Sequence, residues 1–507
     1  VLTAIGGAEI RDVEGSVNDS RLYGYNQDLQ SSQPVNYIPF YAQYSGRSPA
    51  QIPYQDHTVS TSDHYISYYF NGSYNYRQRY ILSTSARKDE SNIFGARAND
   101  KGIRLYSIGA AWEISNEDFY RFSALPILKL RLTHGYSGNV DKSVSAYTTA
   151  QLNANFNSYG STSASITNPP NPSLRWEQIH IVNMGVDFTG KDSRVEGSLE
   201  YYIKNGSDLI GLSALDPTTG NTQFKGNVAG MKAHGIDLAL NTQNIKGLIS
   251  WTSSLLFSFT RDRVTKYDTS VSANPNLDPG SIAYYLDPSV ISPLVGHPLY
   301  SVYALRWMGL DPLNGDPQGW QNGHTSKDYK TMTNSSDFKN LIYKGTANPS
   351  FFGSLRNSVS WRQFSMSFNI LYKFGYYFRR SSINYGDLFK GTRGHPDYDM
   401  RWLSPGDEKR TSVPSLVYPA NTDRDAFYSE SEVLIERGDH IRLQDLRLSY
   451  DLQKKFHPGL PVRAIQFYLY ANNIGIIWKA NHQGIDPDNV TSIPNPRTLA
   501  AGIKMDL

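Results

Sequence analysis

The stretch "FSMSFNILYKFGYYFRR", residues 364–380, decides how the rest of the chain is read. Phe364, Met366, Phe368, Ile370, Tyr372 and Phe374 fall on one side of it, and Ser365, Ser367, Asn369, Leu371 and Lys373 on the other. Side chains of a strand alternate between faces with period two, so this reads as a strand with an apolar wall backed by a mostly polar one. Such a wall faces either a protein core or a lipid bilayer. On the lipid reading, Arg379 and Arg380 mark the rise out of the membrane into a long loop.

Working outward, the same alternation recurs along the chain. Residues 2–10 form a short first strand; Ile66, Tyr68, Phe70, Tyr74 and Tyr76 line one face of the next, which pairs with 80–87. Further strands follow around residues 106–114, 128–133, 182–188, 195–204, 236–241, 251–260, 351–361, 446–452, 465–472 and 499–507, about fourteen in all, with a less clear one at 302–310. Short turns alternate with long polar loops at 139–175, 267–298, 311–348 and 379–439. Structureless loops of that length are uncommon in compact domains, yet outer-membrane barrels place them on every second connection. Trp112, Tyr136, Phe188, Tyr201, Trp251, Trp361, Phe374 and Tyr450 sit at or near the ends of apolar faces, where a membrane barrel carries its aromatic girdles. The competing reading makes them ordinary strand-favouring core residues.

Composition fits the barrel. The chain is hydrophilic on average and has no apolar run of about 18 residues, so it has no transmembrane helix, but barrel strands need none. Thirty-six tyrosines suit aromatic girdles, and 40 glycines with 26 prolines suit strands and turns. Cysteine is absent, which excludes disulfides, cysteine-zinc sites and thiol nucleophiles. A net charge of +3 without basic runs argues against nucleic acid as a partner. The chain begins at Val1 with no apolar leader, which points to a removed targeting segment or a fragment.

No metalloprotease helix, phosphate loop, dinucleotide fingerprint or nucleophile elbow occurs, so no enzyme activity and no cofactor are expected. "DPLNGDPQG" brings Asp311, Asn314 and Asp316 together, and "DPDN" does the same at 486–489; hard-cation ligation competes there with ordinary turn chemistry, which is favoured. The loop after the opening strand concentrates Tyr377, Arg379, Arg380, Tyr385, Arg393, Tyr398 and Trp402. Aromatics with forked arginine donors suit a surface for peptides or sugars, and equally suit a loop locked by its own packing. Inward-facing polar candidates are Lys129, Arg131, Glu196, Glu200, Lys204, Asn369 and Lys373, since charges facing lipid at mid-depth would cost about 2–4 kcal/mol each.

Nine further stretches, among them "NPSLRWEQIHIVNMGVDF" (171–188), "GSLEYYIKNGSDLI" (197–210), "GNVAGMKAHGIDLAL" (226–240), "RWLSPGDEKRTSVPS" (401–415), "GDHIRLQDLRLSYDL" (438–452) and "GIDPDN" (484–489), resemble in order the barrel portion of the SusC/RagA-like TonB-dependent transporters of the Bacteroidota outer membrane. The resemblance implies a 22-stranded, Gram-negative outer-membrane barrel filled by an N-terminal plug and energised through TonB. It also implies a SusD-like lipoprotein lid, pairing into dimers, contact with lipid and lipopolysaccharide, and oligopeptide or oligosaccharide substrates. Neither plug nor TonB box is present, and about fourteen strands fall short of 22, so Val1 is expected to lie inside the barrel domain. The family's usual aromatic last residue is replaced by Leu507. A self-closed 14-strand passive channel and a soluble ligand-binding β protein remain the competing readings.

Overall fold

The computed structural model describes residues 1–507 apart from 45, 47, 93–101, 140, 153–162, 216–217, 219, 222, 269–280, 287–290, 454–458, 460–461 and 507. Fourteen strands form one antiparallel sheet in which spatial order follows sequence order. They are β1 (Leu2–Asp19), β2 (His57–Tyr76), β3 (Tyr80–Ser91), β4 (Gly102–Glu113), β5 (Ile127–Asn139), β6 (Glu177–Thr189) and β7 (Val195–Ala214). Then come β8 (Gln223–Ile245), β9 (Ile249–Tyr267), β10 (Phe351–Trp361), β11 (Phe364–Phe374), β12 (His440–Gln453), β13 (Ala464–Lys479) and β14 (Thr498–Asp506).

Hairpins at one end are tight. Trp361 and Phe364 face each other across a two-residue turn in which Arg362 takes a left-handed φ of 54°. Three residues join Tyr76 to Tyr80. The other end carries the long connections 20–56, 140–176, 268–350, 375–439 and 480–497. Residues 302–310 add no strand to the main sheet; Ser301–Leu305 and Trp307–Leu310 pair in small loop sheets instead, so 268–350 is one continuous connection. Strands β1 and β2 also run well beyond their alternating apolar segments.

Register fixes the faces. On one face Leu130, Val186, Leu199, Leu238 and Phe257 stand side by side across β5 to β9. Leu132, Met184, Tyr201, Ile236 and Phe259 form the next row toward the long loops. These side chains are not covered: Leu82 is 54% exposed, Met184 49%, Leu469 58% and Phe364 56%. Burying such a side chain is worth about 1.5–3 kcal/mol, and dozens left in water would leave the sheet without a driving force. Among the described residues no second sheet covers this face, so the apolar wall is a lipid-facing one.

Aromatic belts bound that wall. At the short-turn end Tyr80 stacks on Trp112 at 6.4 Å between centroids, and Phe364 meets Tyr450 at 4.6 Å. At the long-loop end of β9 to β13 Phe259 meets Phe351 at 4.9 Å and Phe374 meets Trp478 at 6.3 Å. Buried apolar clusters lie mostly in the loops, for example Ile282, Leu305, Met332 and Phe427 together. The sheet itself is open: β1 pairs only with β2 and β14 only with β13. A self-closed 14-strand channel would need a ladder between β1 and β14, and the described residues form none.

Candidate functional site

The face opposite the apolar wall is the one a barrel turns to its lumen. Its charges are paired. Arg131 on β5 donates to both oxygens of Asp187 on β6, at 2.7 and 2.8 Å, and to Glu200 on β7 at 2.6 Å. Lys129 pairs with Glu113 at 2.9 Å, and Lys204 lies over the Tyr202 ring at 4.6 Å. Glu196 is exposed opposite Asn241. Alternation puts all of these on one face, and cross-strand neighbours about 5 Å apart on that face can meet directly.

A second polar group lies on β10 to β13. Arg356 donates to both oxygens of Asp445 at 3.2 and 2.9 Å, with Asn369 between them in register and its Oδ1 buried without a partner. Arg447 donates to Gln466 at 2.8 Å, which donates to Asp451 at 2.7 Å. Arg356, Asp445, Arg447 and Gln466, with Tyr468 and Tyr470, line a hollow of about 1130 Å³ open to the polar face.

The third group ties a loop to the wall. Within 480–497, Asp488 accepts from Lys373 on β11 at 2.7 Å and contacts His440 Nε2 on β12 at 3.2 Å; Asp486 accepts from Arg442 at 2.6 Å. His440 is 1% exposed. Burial opposes ionisation of Asp488, but hydrogen bonds from His440 and Lys373 outweigh it and hold the carboxyl well below the usual carboxylate range. Sequence analysis singled out Lys373 but not His440, Arg442, Asp486 or Asp488 as one group. Period two carried back from Leu446 and Leu448 turns residues 440 and 442 outward, and the irregular register between Leu443 and Asp445 reverses them, so "GIDPDN" was the only signal in the sequence.

The long connections 268–350 and 375–439 fold against each other. Leu305 bridges to Ser431, Trp307 packs on Tyr428 at 5.9 Å, and Arg424 donates to Asp316 at 2.9 Å. Most of the aromatic and arginine residues of 377–402 serve this packing. Tyr377 covers Gly345, Tyr385 donates to the Pro414 carbonyl at 2.6 Å, and the Trp402 ring fills the space where a Cβ on Gly315 would stand. Arg380, 6% exposed, donates to Asp397 at 2.6 Å, and Arg379 to the Tyr303 carbonyl at 2.6 Å. Burial lowers the Arg379 pKa from its usual value. Arg393 is exposed, and Tyr398 is half-buried under Arg401 at 3.9 Å. Asp311 and Asp316 are taken up by Lys327 and Arg424, with Asn314 donating to Asp316, so these carboxylates already have cationic partners. Among the described residues no group of three acidic or histidine side chains could hold a metal ion. Large apolar side chains are also left in solvent on this loop unit: Leu313 83% exposed, Tyr418 80% and Leu403 65%.

Comparison with known proteins agrees with this geometry. TonB-dependent receptor P26 of Formosa agariphila is 24% identical over 99% of this chain and 51% of its own length. TonB-dependent receptor SusC of Bacteroides thetaiotaomicron is 23% identical over 87% of this chain and 43% of its own. Among solved structures, the RagAB peptide transporter superposes with a TM-score of 0.76 at 21% identity, over 99% of this chain and 53% of that one. The chain thus spans about half the length of the relatives it matches. Residues 8–474 match the family described as "TonB dependent receptor-like, beta-barrel", a family of the outer membrane, and the chain belongs to it.

Proposed function

We propose that the chain supplies the greater part of the barrel wall and the long extracellular loops of a SusC-like importer in the outer membrane of a Gram-negative bacterium. The importer takes up oligopeptides or oligosaccharides too large for passive pores. One observation carries this reading: an open antiparallel sheet of fourteen strands with an uncovered apolar face and an ion-paired polar face. The polar face lines the lumen and grips a plug contributed outside the described strands; TonB pulls on that plug to open the path. The chain's own residues perform no chemistry. They supply a polar, aromatic-lined wall, of which the hollow beside Arg447, Tyr468 and Tyr470 is one part.

The exposed apolar side chains Leu313, Leu403 and Tyr418 on an otherwise well-packed loop unit support docking of a SusD-like lipoprotein lid at the extracellular end. The likeness to RagAB, a peptide transporter, supports peptides as the first class to try. The test is uptake of labelled oligopeptide and oligosaccharide pools by cells carrying the intact gene, with and without TonB. Uptake of one pool that disappears without TonB, and on deletion of the gene, is the expected result. Uptake that continues without TonB would refute active transport.

A further inference from the structure

The apolar wall ends differently in its two halves. Above β9 to β13 the long-loop border is aromatic, with Phe351, Phe374 and Trp478. Above β8 and β9 it is basic. One residue pair beyond the row that ends in Phe259, His234 stands opposite Arg261; one pair further, Lys232 stands opposite Arg263. These four side chains are exposed and share the lipid-facing parity of Ile236, Leu238, Phe257 and Phe259. The same rows continue through Asn205 to His180, whose Nε2 lies 2.8 Å from Nε2 of His134 beside Tyr136.

Two features make this border unusual for a protein alone. Like charges directly opposite on a sheet destabilise it, and here Lys232 faces Arg263. Among the described residues, the outward-facing positions of β5 to β9 from the apolar band to this border hold no Asp or Glu, while Asp237 and Asp262 point to the opposite face. At strand rise and tilt, Arg261 and Arg263 stand only about 5 and 10 Å above Phe259 in depth, at headgroup level.

From this charge complementarity, and resting on the outer-membrane reading above, we infer that Lys232, Arg261 and Arg263 seat the phosphorylated headgroup of an outer-leaflet lipid whose acyl chains lie along Ile236, Leu238 and Phe257. His234 and the His134–His180 pair flank the seat. The anion relieves the like-charge pair of Lys232 and Arg263, and the lipid stays with the barrel as a fixed neighbour.

The test uses the protein as assembled in the outer membrane, extracted in mild detergent, with retained lipid read by native mass spectrometry. The probe is bisphosphorylated lipid A, compared with its dephosphorylated form and with inorganic phosphate. Each cation near an anionic membrane surface contributes about fivefold, from about 1 kcal/mol per Lys or Arg. The triple variant K232Q/R261Q/R263Q is therefore expected to lose about 100-fold in retention of the phosphorylated form and nothing for the dephosphorylated one. An unchanged heat-dependent gel shift of that variant shows that it still folds. Equal retention by both proteins overturns the inference, as does full competition by inorganic phosphate, or loss of a protein partner in place of lipid. If the native protein fails to fractionate with outer membranes, the proposed function fails first; if it fractionates there but retention ignores the three cations, this inference alone fails.

Discussion

An arginine walked along β9 would measure where the bilayer lies. Phe257 stands four residues below Arg261 on the same face. At about 3.4 Å per residue and a tilt near 45°, that separation is about 10 Å in depth. With an apolar band about 25 Å tall bounded by Arg261, the midplane falls between Leu255 and Phe257. Leu255→Arg and Phe257→Arg should each cost about 2–4 kcal/mol beyond the matching alanine variants, while Phe259→Arg should cost about 0–1. The larger figure is about 30- to 700-fold in the folding equilibrium. Ser258→Arg is the control: at the same depth but on the polar face, next to Asp237, to which Ser258 donates at 2.6 Å. It should be close to neutral. The assay is urea unfolding of the assembled protein in lipid vesicles, followed by the heat-dependent gel shift. If Phe257→Arg costs no more than Ser258→Arg, the face does not meet lipid and the barrel reading falls.

Other groups give sharper local tests. Replacing Arg131 by Met leaves Asp187 and Glu200 facing each other without their shared cation; because all three are about one-third exposed, the expected loss is about 1–2 kcal/mol, recovered in the variant that also carries Asp187→Asn and Glu200→Gln. Asp488→Asn should release the loop 480–497 from the wall, read as faster proteolysis within it. Because the folded carboxyl titrates below its unfolded value near 3.9, its contribution is complete above about pH 4 and is lost only as pH falls further, so loop protection should hold at pH 5 and fade below pH 4. Gly315→Ala meets both a left-handed φ of 70° and the Trp402 ring 2.4 Å from the new Cβ; it should loosen the loop unit by about 1–3 kcal/mol, with protease cuts appearing in 311–348 and the barrel's gel shift unchanged.

The strand that opens the sequence reading, Phe364–Phe374, has in the structure the bounds its alternation implies. Alternation works there because one face is apolar for its whole length, so a slip of one residue would turn every phenylalanine toward the lumen. The same rule shortens β1 and β2 when read from sequence. "RDVEGSVND" continues β1 to Asp19 opposite residues 57–65, above the apolar band, where neither face needs to be apolar and the pattern vanishes. Residues 302–310 show the converse: their apolar side chains, Tyr303 and Leu305 among them, pack into the loop unit instead of meeting lipid.

The polar face was half legible. Parity places Lys129, Arg131 and Glu200 on one face because each sits on a regular strand and these strands neighbour one another in chain order. It could not place Asp488 on His440, 48 residues away, since a loop's path depends on contacts that have no period. Nor could composition separate binding from packing in 377–402. A buried arginine such as Arg380 and an exposed one such as Arg393 are the same residue type among the same aromatics; only the position of Asp397 distinguishes them.

The open edges bear on the mechanism more than any single side chain does. β1 presents an edge of 18 residues and β14 one of nine, and every second residue on each turns its backbone N–H and C=O away from the sheet. In hydrocarbon each unsatisfied group costs several kcal/mol, so within the band alone the two edges would outweigh the net stability of an ordinary domain. An antiparallel ladder between β1 and β14, which is half as long, would leave without a partner only the half of β1 that rises above the apolar band; among the described residues no such ladder forms. Among the described residues nothing satisfies the two edges within the band, which supports the proposal that the sheet is part of a larger barrel wall. On the function proposed above, lumen, plug and substrate path belong to the completed barrel, which is why the uptake assays use the intact gene.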